Sequence, residues 1–394
     1  MTWGRLKNPQ LQERLKTRAR IVQMIREFFI LEGFLEAETP ILVPAAGQEP
    51  YLNPLRTRLW DERGKACDAY LITSPEYAHK KLLAAGFDNT FEITRAFRAG
   101  EEWGGLHNPE FTMLEWYRSH ADYMSIMQDV ERLVLHVVDG IRMRQHGKFQ
   151  IPNSKFQTNP KSELSNHPII QYQGQSIDLS SPWQRITMAE AWKKYVPGFA
   201  PSNSHERENL TALAKARGYK VARTDSHDDI FFKIFLTEIE PNLGYPKPTI
   251  LYDYPASMAS LARLKPSPQP SPIKGEGVKG NPPPLVGGVR GGGGEGQVAE
   301  RFEVYIAGME LANAFSELTD AQEQRVRFLS EQKLRKNLGK EQIPLDEDFL
   351  EAVGHLPPSA GIALGVDRLV MLLTNAKTIE EVLAFPAGEL FDRV

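Results

Sequence analysis

The sequence predicts an α+β protein in which antiparallel hairpins are combined with amphipathic helices. The first observation is a pair of β-patterned segments, NTFEITRAF and HNPEFTMLEWYR, joined by a loop that contains AGEEWGG. The second is RFEVYIAGMELANAF, which alternates like a hairpin that turns near Ala307 and Gly308. The third is residues 11–32, whose apolar positions recur with the helical period. Hairpins and helices in separate stretches of one chain are typical of an α+β fold.

The first helix carries an apolar stripe, and Gly33 can end it. The stripe consists of Leu11, Leu15, Val22, Ile25 and Phe29. FLEAETPILVP follows as an extended segment, and its two prolines predict an edge or end strand. A helix over residues 76–85, ended by Gly86, precedes the first hairpin.

Further helices and a glycine-rich junction complete the predicted elements. A long helix covers about residues 121–138, and Thr187 with Glu190 forms a capping box for the helix AEAWKKY. LPPSAGIALGVDRLVMLL predicts a strand that runs into a helix. Residues 145–176 are polar with weak periodicity, although QYQGQSIDL could contain a short strand. The Pro/Gly-rich residues 265–297 predict a disordered insertion, because they cannot bury a core.

The composition excludes several classes of protein. Of 394 residues, 41% are hydrophobic and 25% charged, which is ordinary for a soluble globular protein. A net charge of −3 gives no global field that would attract nucleic acid or a membrane. The single cysteine cannot form an intrachain disulfide, and the start, MTWGRLKNPQ, lacks the apolar run of a secretory signal. The apolar runs are too short to span a bilayer, so we expect a cytoplasmic protein.

Two strand faces carry carboxylates where apolar residues are expected. In HNPEFTMLEWYR, Glu115 shares a face with Phe111, Met113 and Tyr117, where an unpaired charge is expensive to bury. In ELANAFSEL, the residues Asn313, Phe315 and Glu317 share one face. An aromatic ring, a phenol and a carboxylate together can replace water around an ammonium group. The repeated pattern therefore predicts an amine pocket; the alternative is that both glutamates pair with arginines of the fold.

Other residues have the chemistry of a nucleotide site. Arg98 ends a hairpin strand, and Arg368 lies just inside the helix after GIALGVD; guanidinium groups and helix N-termini suit polyphosphate. Glu303 and Glu310 lie on the two arms of one hairpin and could share Mg²⁺. Glu310 and Asn313 are an odd number of residues apart, so a β-bulge between them is required to turn both to one face.

Three segments in order resemble the class II aminoacyl-tRNA synthetases. FLEAETPILVP resembles motif 1, FRAGEEWGGLHNPEF motif 2 and GIALGVDR motif 3, while HNPEFTMLEWYR and GMELANAFSEL resemble the lysyl branch. The resemblance implies one catalytic domain over residues 1–394, with an antiparallel sheet of about six or seven strands flanked by helices. It also implies a homodimer formed through motif 1, with ATP and Mg²⁺ as cofactors.

The resemblance also implies roles for individual residues. Arg98 would hold the substrate carboxylate and the α-phosphate, and Phe111 and Arg368 would stack on adenine. The rest of the implied ATP site is Asn108, Glu101 or Glu102, Glu310, Leu311 and Gly365, with Glu303 and Glu310 on Mg²⁺. The implied lysine site is Ser74, Pro75 and Glu76 at the backbone amine, and Glu115, Tyr117, Asn313, Phe315, Glu317 and Ala363 around the side chain.

The sequence departs from the family pattern at three places. Gly100 occupies the position where motif 2 usually has its glutamate, so that either Glu101 or Glu102 could approach ATP. Ala363 replaces the middle glycine of a Gly-x-Gly-x-Gly stretch before motif 3, which changes the amine placement that fits. Only one helix and a short tail precede Pro40 of motif 1, which leaves no room for an anticodon-reading barrel.

These departures resemble the truncated paralogues of lysyl-tRNA synthetase that ligate (R)-β-lysine to a lysine of elongation factor P. The implied function is ATP-dependent activation of lysine or β-lysine and its transfer to that protein, without stable tRNA binding. The alternatives are a tRNA-charging enzyme without an anticodon domain and an inactive, regulatory relative. Basic residues of the first helix either form a solvated face or steer the acidic protein substrate; they are Arg14, Lys16, Arg18, Arg20 and Arg26.

Overall fold

The computed structural model describes residues 2–145, 168–198, 207–265 and 297–391. The helices are α1 (Pro9–Leu31), α2 (Glu76–Ala84), α3 (Tyr123–Gln145), α4 (Met188–Tyr195), α5 (Arg207–Ala216), α6 (His227–Ile234), α7 (Ala321–Asn337), α8 (Glu347–Val353), α9 (Val366–Leu373) and α10 (Ala387–Phe391). The strands are β1 (Leu35–Glu36), β2 (Leu42–Val43), β3 (Leu55–Trp60), β4 (Ala66–Leu71), β5 (Asn89–Phe97), β6 (Glu110–Ser119), β7 (Ile169–Tyr172), β8 (Gln175–Asp178), β9 (Gln184–Thr187), β10 (Thr249–Pro255), β11 (Val298–Ile306), β12 (Met309–Ser316) and β13 (Ser359–Gly365). None of the helices in these ranges is both long and apolar enough to cross a bilayer.

The main sheet has eight strands in the order β1-β5-β6-β13-β12-β11-β10-β9. Its central pairings are antiparallel, which confirms the predicted α+β class and both predicted hairpins. The expectation of six or seven strands is too low. Both ends of the sheet carry a short strand in parallel pairing, β1 on β5 and β9 on β10. A two-residue edge strand such as β1 has too little pattern to be counted from sequence.

The alternation of β6 separates the core from the candidate site. Leu114 and Trp116 are fully buried in the core that α1, α3 and α9 cover. Tyr117 faces the other way and packs in the cluster with Phe328 of α7 and Phe349 of α8. The predicted faces of this strand are therefore confirmed, and Glu115 lies on the face opposite the main core.

Helix ends agree with the sequence signals, with one exception. Gly33 follows α1 with φ +78° and Gly86 follows α2 with φ +95°, conformations that glycine adopts without strain. The exception is α3, which was predicted to end near residue 138 and continues to Gln145. Gly140 lies inside this helix, where a Cβ would lie 2.7 Å from Sδ of Met24. The glycine therefore permits close packing of α3 on α1 and is not a stop signal.

The two polar segments are described in part. β7 and β8 form a hairpin, which confirms a short strand in QYQGQSIDL. Residues 146–167 and 266–296 lie outside the described residues, so the prediction for the insertion is untested beyond its flanks. Those flanks are adjacent, because the backbone N–H of Lys265 donates to the carbonyl of Val298 at 2.8 Å.

Candidate active site

A cavity of about 440 Å³ lies on the Glu115 face of the sheet. It is built from β6, β12, β13 and the start of α2, and the predicted amine-site residues on its wall are Ser74, Glu76, Glu115, Tyr117, Asn313, Phe315 and Ala363. Glu317 is buried just behind this wall, with Oε1 2.6 Å from the position that a Cβ on Gly361 would take. The structure therefore brings together residues that are far apart in sequence.

Glu115 is held by neutral hydrogen-bond donors. The hydroxyl of Ser74 donates to Oε1 and the phenol of Tyr117 donates to Oε2, each at 2.6 Å. Burial, with the nearby charge of Glu76, raises the pKa of Glu115 to about 8. The alternative prediction, pairing with an arginine, is wrong for Glu115, since no cation lies within ion-pair distance among the described residues. The two hydrogen bonds therefore orient the Glu115 carboxyl, which has no counter-ion among the described residues.

Glu317 has a partner that was not predicted from sequence. The ammonium of Lys80 lies 2.6 Å from Oε2 of Glu317 and 2.5 Å from Oε1 of Glu76. The signal was present, since Glu76 and Lys80 are four residues apart on the predicted α2. Oε1 of Glu317 is shielded from solvent and has no hydrogen-bond partner among the described residues. The pairing with an arginine is therefore wrong for Glu317 as well.

The register of three strands determines the floor of the cavity. Ala363 of β13 pairs with Glu115 of β6 on one side and with Asn313 of β12 on the other. Its methyl group therefore lies between the two predicted lysine-site residues. The predicted bulge is confirmed at Leu311, because Val304 pairs with Ala312 whereas Tyr305 pairs with Glu310.

A second cleft of about 330 Å³ adjoins the first. Its wall includes most of the predicted nucleotide residues, namely Arg98, Glu101, Asn108, Phe111, Glu310, Leu311, Gly365 and Arg368. Arg98 lies on the walls of both cavities, and its guanidinium is 5.1 Å from the centre of the Phe111 ring. Glu101 faces this cleft, 3.9 Å from Arg98, whereas Glu102 is exposed and is not on its wall. The geometry therefore favours Glu101 over Glu102.

The predicted metal carboxylates lie close to each other. Glu303 accepts hydrogen bonds from Tyr305 at 2.5 Å and from Arg301 at 2.7 Å. Burial and the charge of Glu303 raise the pKa of Glu310. Burial and the charges of Glu310 and Glu303 raise the pKa of Glu240 to about 7. A divalent cation would relieve this repulsion. No group of three metal-ligating side chains occurs in the described ranges, so Mg²⁺ would need further ligands such as phosphate oxygens.

Comparison with known proteins decides the family. The family described as tRNA synthetases class II (D, K and N) matches residues 2–389 of the chain. The chain belongs to the class II tRNA synthetases.

Two kinds of class II relative are similar to the chain. It is 35% identical over 374 residues to the elongation factor P–(R)-β-lysine ligase of Salmonella gallinarum, an alignment that covers 94% of each chain. The ligase of the same name from Salmonella paratyphi B is 34% identical over the same shares. The lysine–tRNA ligase of Magnetococcus marinus is 35% identical over 386 residues, 96% of this chain, but the chain spans only 64% of that ligase's length. Identity alone does not separate the two kinds of relative.

Two of the predicted residues of this class II site, Asn108 and Pro75, have structural contacts of their own. Asn108 has its amide engaged with the backbone, donating to the carbonyl of Glu110 at 2.6 Å and accepting from the N–H of Ala387 at 2.9 Å. Its direct contact with a nucleotide therefore stays a prediction. Pro75 caps the start of α2 without lying on the wall of the amine cavity.

Three residues of the class II site were not singled out from sequence. Gly361 lies against Tyr117, so closely that a Cβ would be 2.2 Å from the ring. His79 stacks on the other side of Tyr117, with ring centres 5.0 Å apart. Arg301 lies on the wall of the amine cavity and donates to Asn313 at 3.0 Å and to Glu303 at 2.7 Å. Their roles depend on contacts between distant segments, and only the glycine had a sequence signal.

The predicted basic surface on α1 is wrong for two of its arginines. Arg14 pairs with Glu381, and Arg18 pairs with Asp367 at the start of α9. Arg18 also donates to the hydroxyl of Thr112 at 2.7 Å. Both side chains are largely buried, because this side of α1 packs against the motif 3 helix. They connect elements of the fold and are not displayed to a partner.

Proposed function

We propose that the protein is an ATP-dependent ligase that activates lysine, with (R)-β-lysine as the preferred isomer, and transfers it to a lysine side chain of elongation factor P. Relatives that match the chain over 94% of both lengths carry that activity in their names. A cytoplasmic location and a homodimer belong to the same proposal. The dimer is supported by exposed apolar residues at the end of α1 and within motif 1, namely Ile30, Leu31, Leu35 and Ile41.

The observation that carries the proposal is an acidic cavity beside a nucleotide cleft, with Arg98 on both walls. Glu76 would take the backbone amine together with Ser74. Glu115, Tyr117 and Glu317 would take the side-chain ammonium, against the ring of Phe315. The substrate carboxylate would then lie near Arg98, where the two cavities meet.

In the first step, a carboxylate oxygen of the amino acid attacks the α-phosphorus of ATP, and the bond to pyrophosphate breaks. The nucleophile is already ionised, so no base is needed. Arg98 would hold the carboxylate and the α-phosphate in line and stabilise the developing charge. Phe111 and Arg368 would hold adenine. Mg²⁺ on Glu303 and Glu310 would neutralise phosphate charge when bound.

In the second step, the neutral ε-amine of the acceptor lysine attacks the acyl carbon of the adenylate. A C–N bond forms, the C–O bond to AMP breaks, and the nitrogen gives up one proton, which the departing AMP phosphate or water accepts. Tyr117, Glu115 and Glu317 would hold the acyl group in position during this attack.

The test measures ATP–pyrophosphate exchange with α-lysine, (R)-β-lysine and norleucine, which lacks the side-chain amine. We expect exchange with the diamino acids alone, with β-lysine preferred, followed by labelling of elongation factor P. Charging of tRNA in place of elongation factor P would favour the tRNA-charging alternative. The absence of exchange with every amino acid would favour an inactive relative.

A further inference from the structure

Lys80 places an ammonium group of the chain itself in the most acidic part of the amine site. Its Nζ lies between Glu76, at 2.5 Å, and Glu317, at 2.6 Å, and the side chain is fully buried. The ring of Phe315 lies 5.3 Å away, so this ammonium has the surroundings that were predicted for the substrate. Two ammonium groups therefore compete for one acidic site, that of Lys80 and that of the substrate.

The contacts of Lys80 indicate that it stays charged and in place. Burial by itself would lower the pKa of Lys80, but Glu317 and Glu76 outweigh it and raise the pKa above its usual value. The ring of Phe349, which is fully buried in α8, lies 6.0 Å from the ammonium. Movement of Lys80 would leave Glu317 buried without a cation, which is a large cost.

The charges of the site match a substrate with two amines. When Glu76, Glu115 and Glu317 are all ionised, they contribute three negative charges and Lys80 one positive charge, which leaves a net charge of −2. A diamino acid contributes two ammonium groups, and its carboxylate is left for Arg98. Without Lys80, one carboxylate would remain uncompensated even with the substrate bound.

We infer that Lys80 is a fixed counter-ion that sets the charge of the amine site, so that a substrate with two ammonium groups neutralises the site and a monoamino acid does not. This inference rests on the proposed function and identifies a residue that determines its substrate class. Lys80 acts through Glu317 and Glu76 and is a positioning residue. The opposing arrangement is a placeholder, in which the substrate ammonium displaces Lys80 from Glu317.

The test compares Lys80→Met, which removes the charge, with Lys80→Arg, which keeps it. Lys81→Met is the matched control, because Lys81 is adjacent on α2 but pairs with Asp346 and Asp348 outside the cavity. The readouts are KM for lysine and for ATP in pyrophosphate exchange, measured across pH.

For Lys80→Met we expect KM for lysine to rise about tenfold or more at pH 7, with KM for ATP within about twofold. The reason is that Lys80 holds down the pKa of Glu317, so that without it this carboxyl keeps its proton. The KM profile should move to higher pH in Lys80→Met and keep its position in Lys80→Arg. All variants keep the other ionisable residues on or beside the cavity wall, namely Glu49, Tyr51, Glu76, His79, Glu92, Arg98, Glu115, Tyr117, Asp228, Arg301 and Glu331.

Tighter lysine binding by Lys80→Met would overturn the inference in favour of the placeholder. Identical KM profiles for Lys80→Met and Lys81→Met would also overturn it, because Lys80 would then be structural only. A crystal structure of the unchanged protein with bound lysine is a further test, and it requires no variant. The inference requires Lys80 to stay beside Glu76 and Glu317, and displacement contradicts it.

A further experiment distinguishes failure of the proposed function from failure of the counter-ion role. If the unchanged protein activates neither lysine isomer, thermal unfolding with cadaverine and pentylamine still tests the charge match. The diamine should stabilise the unchanged protein and Lys80→Arg, whereas the monoamine should not. Equal stabilisation by both amines would overturn the counter-ion role whatever reaction the protein catalyses.

Discussion

Gly361 pairs with Tyr117 across adjacent strands, and a Cβ on Gly361 would lie 2.2 Å from Cε1 of the tyrosine ring. The same Cβ would lie 2.6 Å from Oε1 of Glu317. The ring has little room to retreat, because His79 stacks behind it and is fixed by Thr90 at 2.8 Å and Glu92 at 3.2 Å. This glycine therefore sets how close the phenol and Glu317 come to the cavity.

For Gly361→Ala we expect loss of lysine activation by about a hundredfold or more, because displacement of Tyr117 misplaces both partners of the ammonium. Gly354→Ala is the control, since a Cβ there has contacts of 3.4 Å or longer and lies in α8's C-terminal turn. Pyrophosphate exchange and thermal unfolding of both variants give the comparison. Equal activity of the two variants would contradict the close-approach role of Gly361.

For Glu317→Gln we expect lysine activation to fall strongly while ATP binding stays close to normal. The lost charge-assisted contact is worth about 2–3 kcal/mol, and of the two carboxylates that pair with Lys80 in the described residues, Glu76 alone would remain. Stability should fall as well, because a buried ion pair is broken. Glu351→Gln, an exposed position on α8, is the control in the same exchange and nucleotide-binding assays. Unchanged activation kinetics would remove Glu317 from the amine site.

Lysine binding should be pH-dependent because of Glu115. Burial raises the pKa of Glu115 to about 8 and both of its hydrogen-bond donors are neutral, so this carboxyl is largely protonated at pH 7 without substrate. An ammonium favours the ionised form, so affinity should rise with pH, by up to about tenfold per unit, and level off above pH 8. KM for lysine between pH 6 and 9 measures this slope, and Glu115→Gln should reduce it.

Protonation of Glu115 also makes the stability of the fold depend on pH, with the opposite sign from lysine binding. A glutamate in the unfolded chain titrates near pH 4, so the folded protein holds the extra proton between roughly pH 4 and 8. Stability without substrate should therefore fall as pH rises through that window. Thermal unfolding across pH measures it, and a rise in stability toward pH 8 that persists in Glu115→Gln would contradict this assignment.

For Arg18→Ala we expect losses in both stability and adenylate formation. Arg18 pairs with Asp367, which is buried and also accepts from the N–H of Thr112 at 2.7 Å. Removing one partner of such a pair costs about 3–5 kcal/mol and loosens the start of α9, which carries Arg368. Arg20→Ala on the same helix is exposed and should leave both measurements unchanged. Loss of transfer to elongation factor P alone would return Arg18 to the role of a docking residue.

Deletion of residues 266–295 should leave activation and transfer largely intact. Lys265 and Val298 are already hydrogen-bonded, and the shortened chain would join them through Gly296 and Gln297, a loop length that suits a hairpin. Exchange, transfer and molecular mass in solution measure the effect. A deletion variant that folds and forms the adenylate but does not modify its protein acceptor would assign the segment to recognition.

Local pattern in the sequence determined much of the fold. The period of two in β6 separated Leu114 and Trp116 from Glu115 and Tyr117, and the odd spacing from Glu310 to Asn313 required the bulge at Leu311. Capping and turn signals located Gly33, Gly86 and the turn at Ala307 and Gly308. These features depend on neighbours along the chain, so the sequence contains their cause.

Contacts between distant segments decided the rest. Only the packing of α2 beside the end of β12 shows that Lys80 reaches Glu317, and only the packing of α1 on α9 shows that Arg18 serves Asp367. The choice of Glu101 over Glu102 depends on how the motif 2 loop folds back over the cleft. A charge in a sequence has no partner until the tertiary fold supplies one, because the electrostatic energy depends on distance and burial.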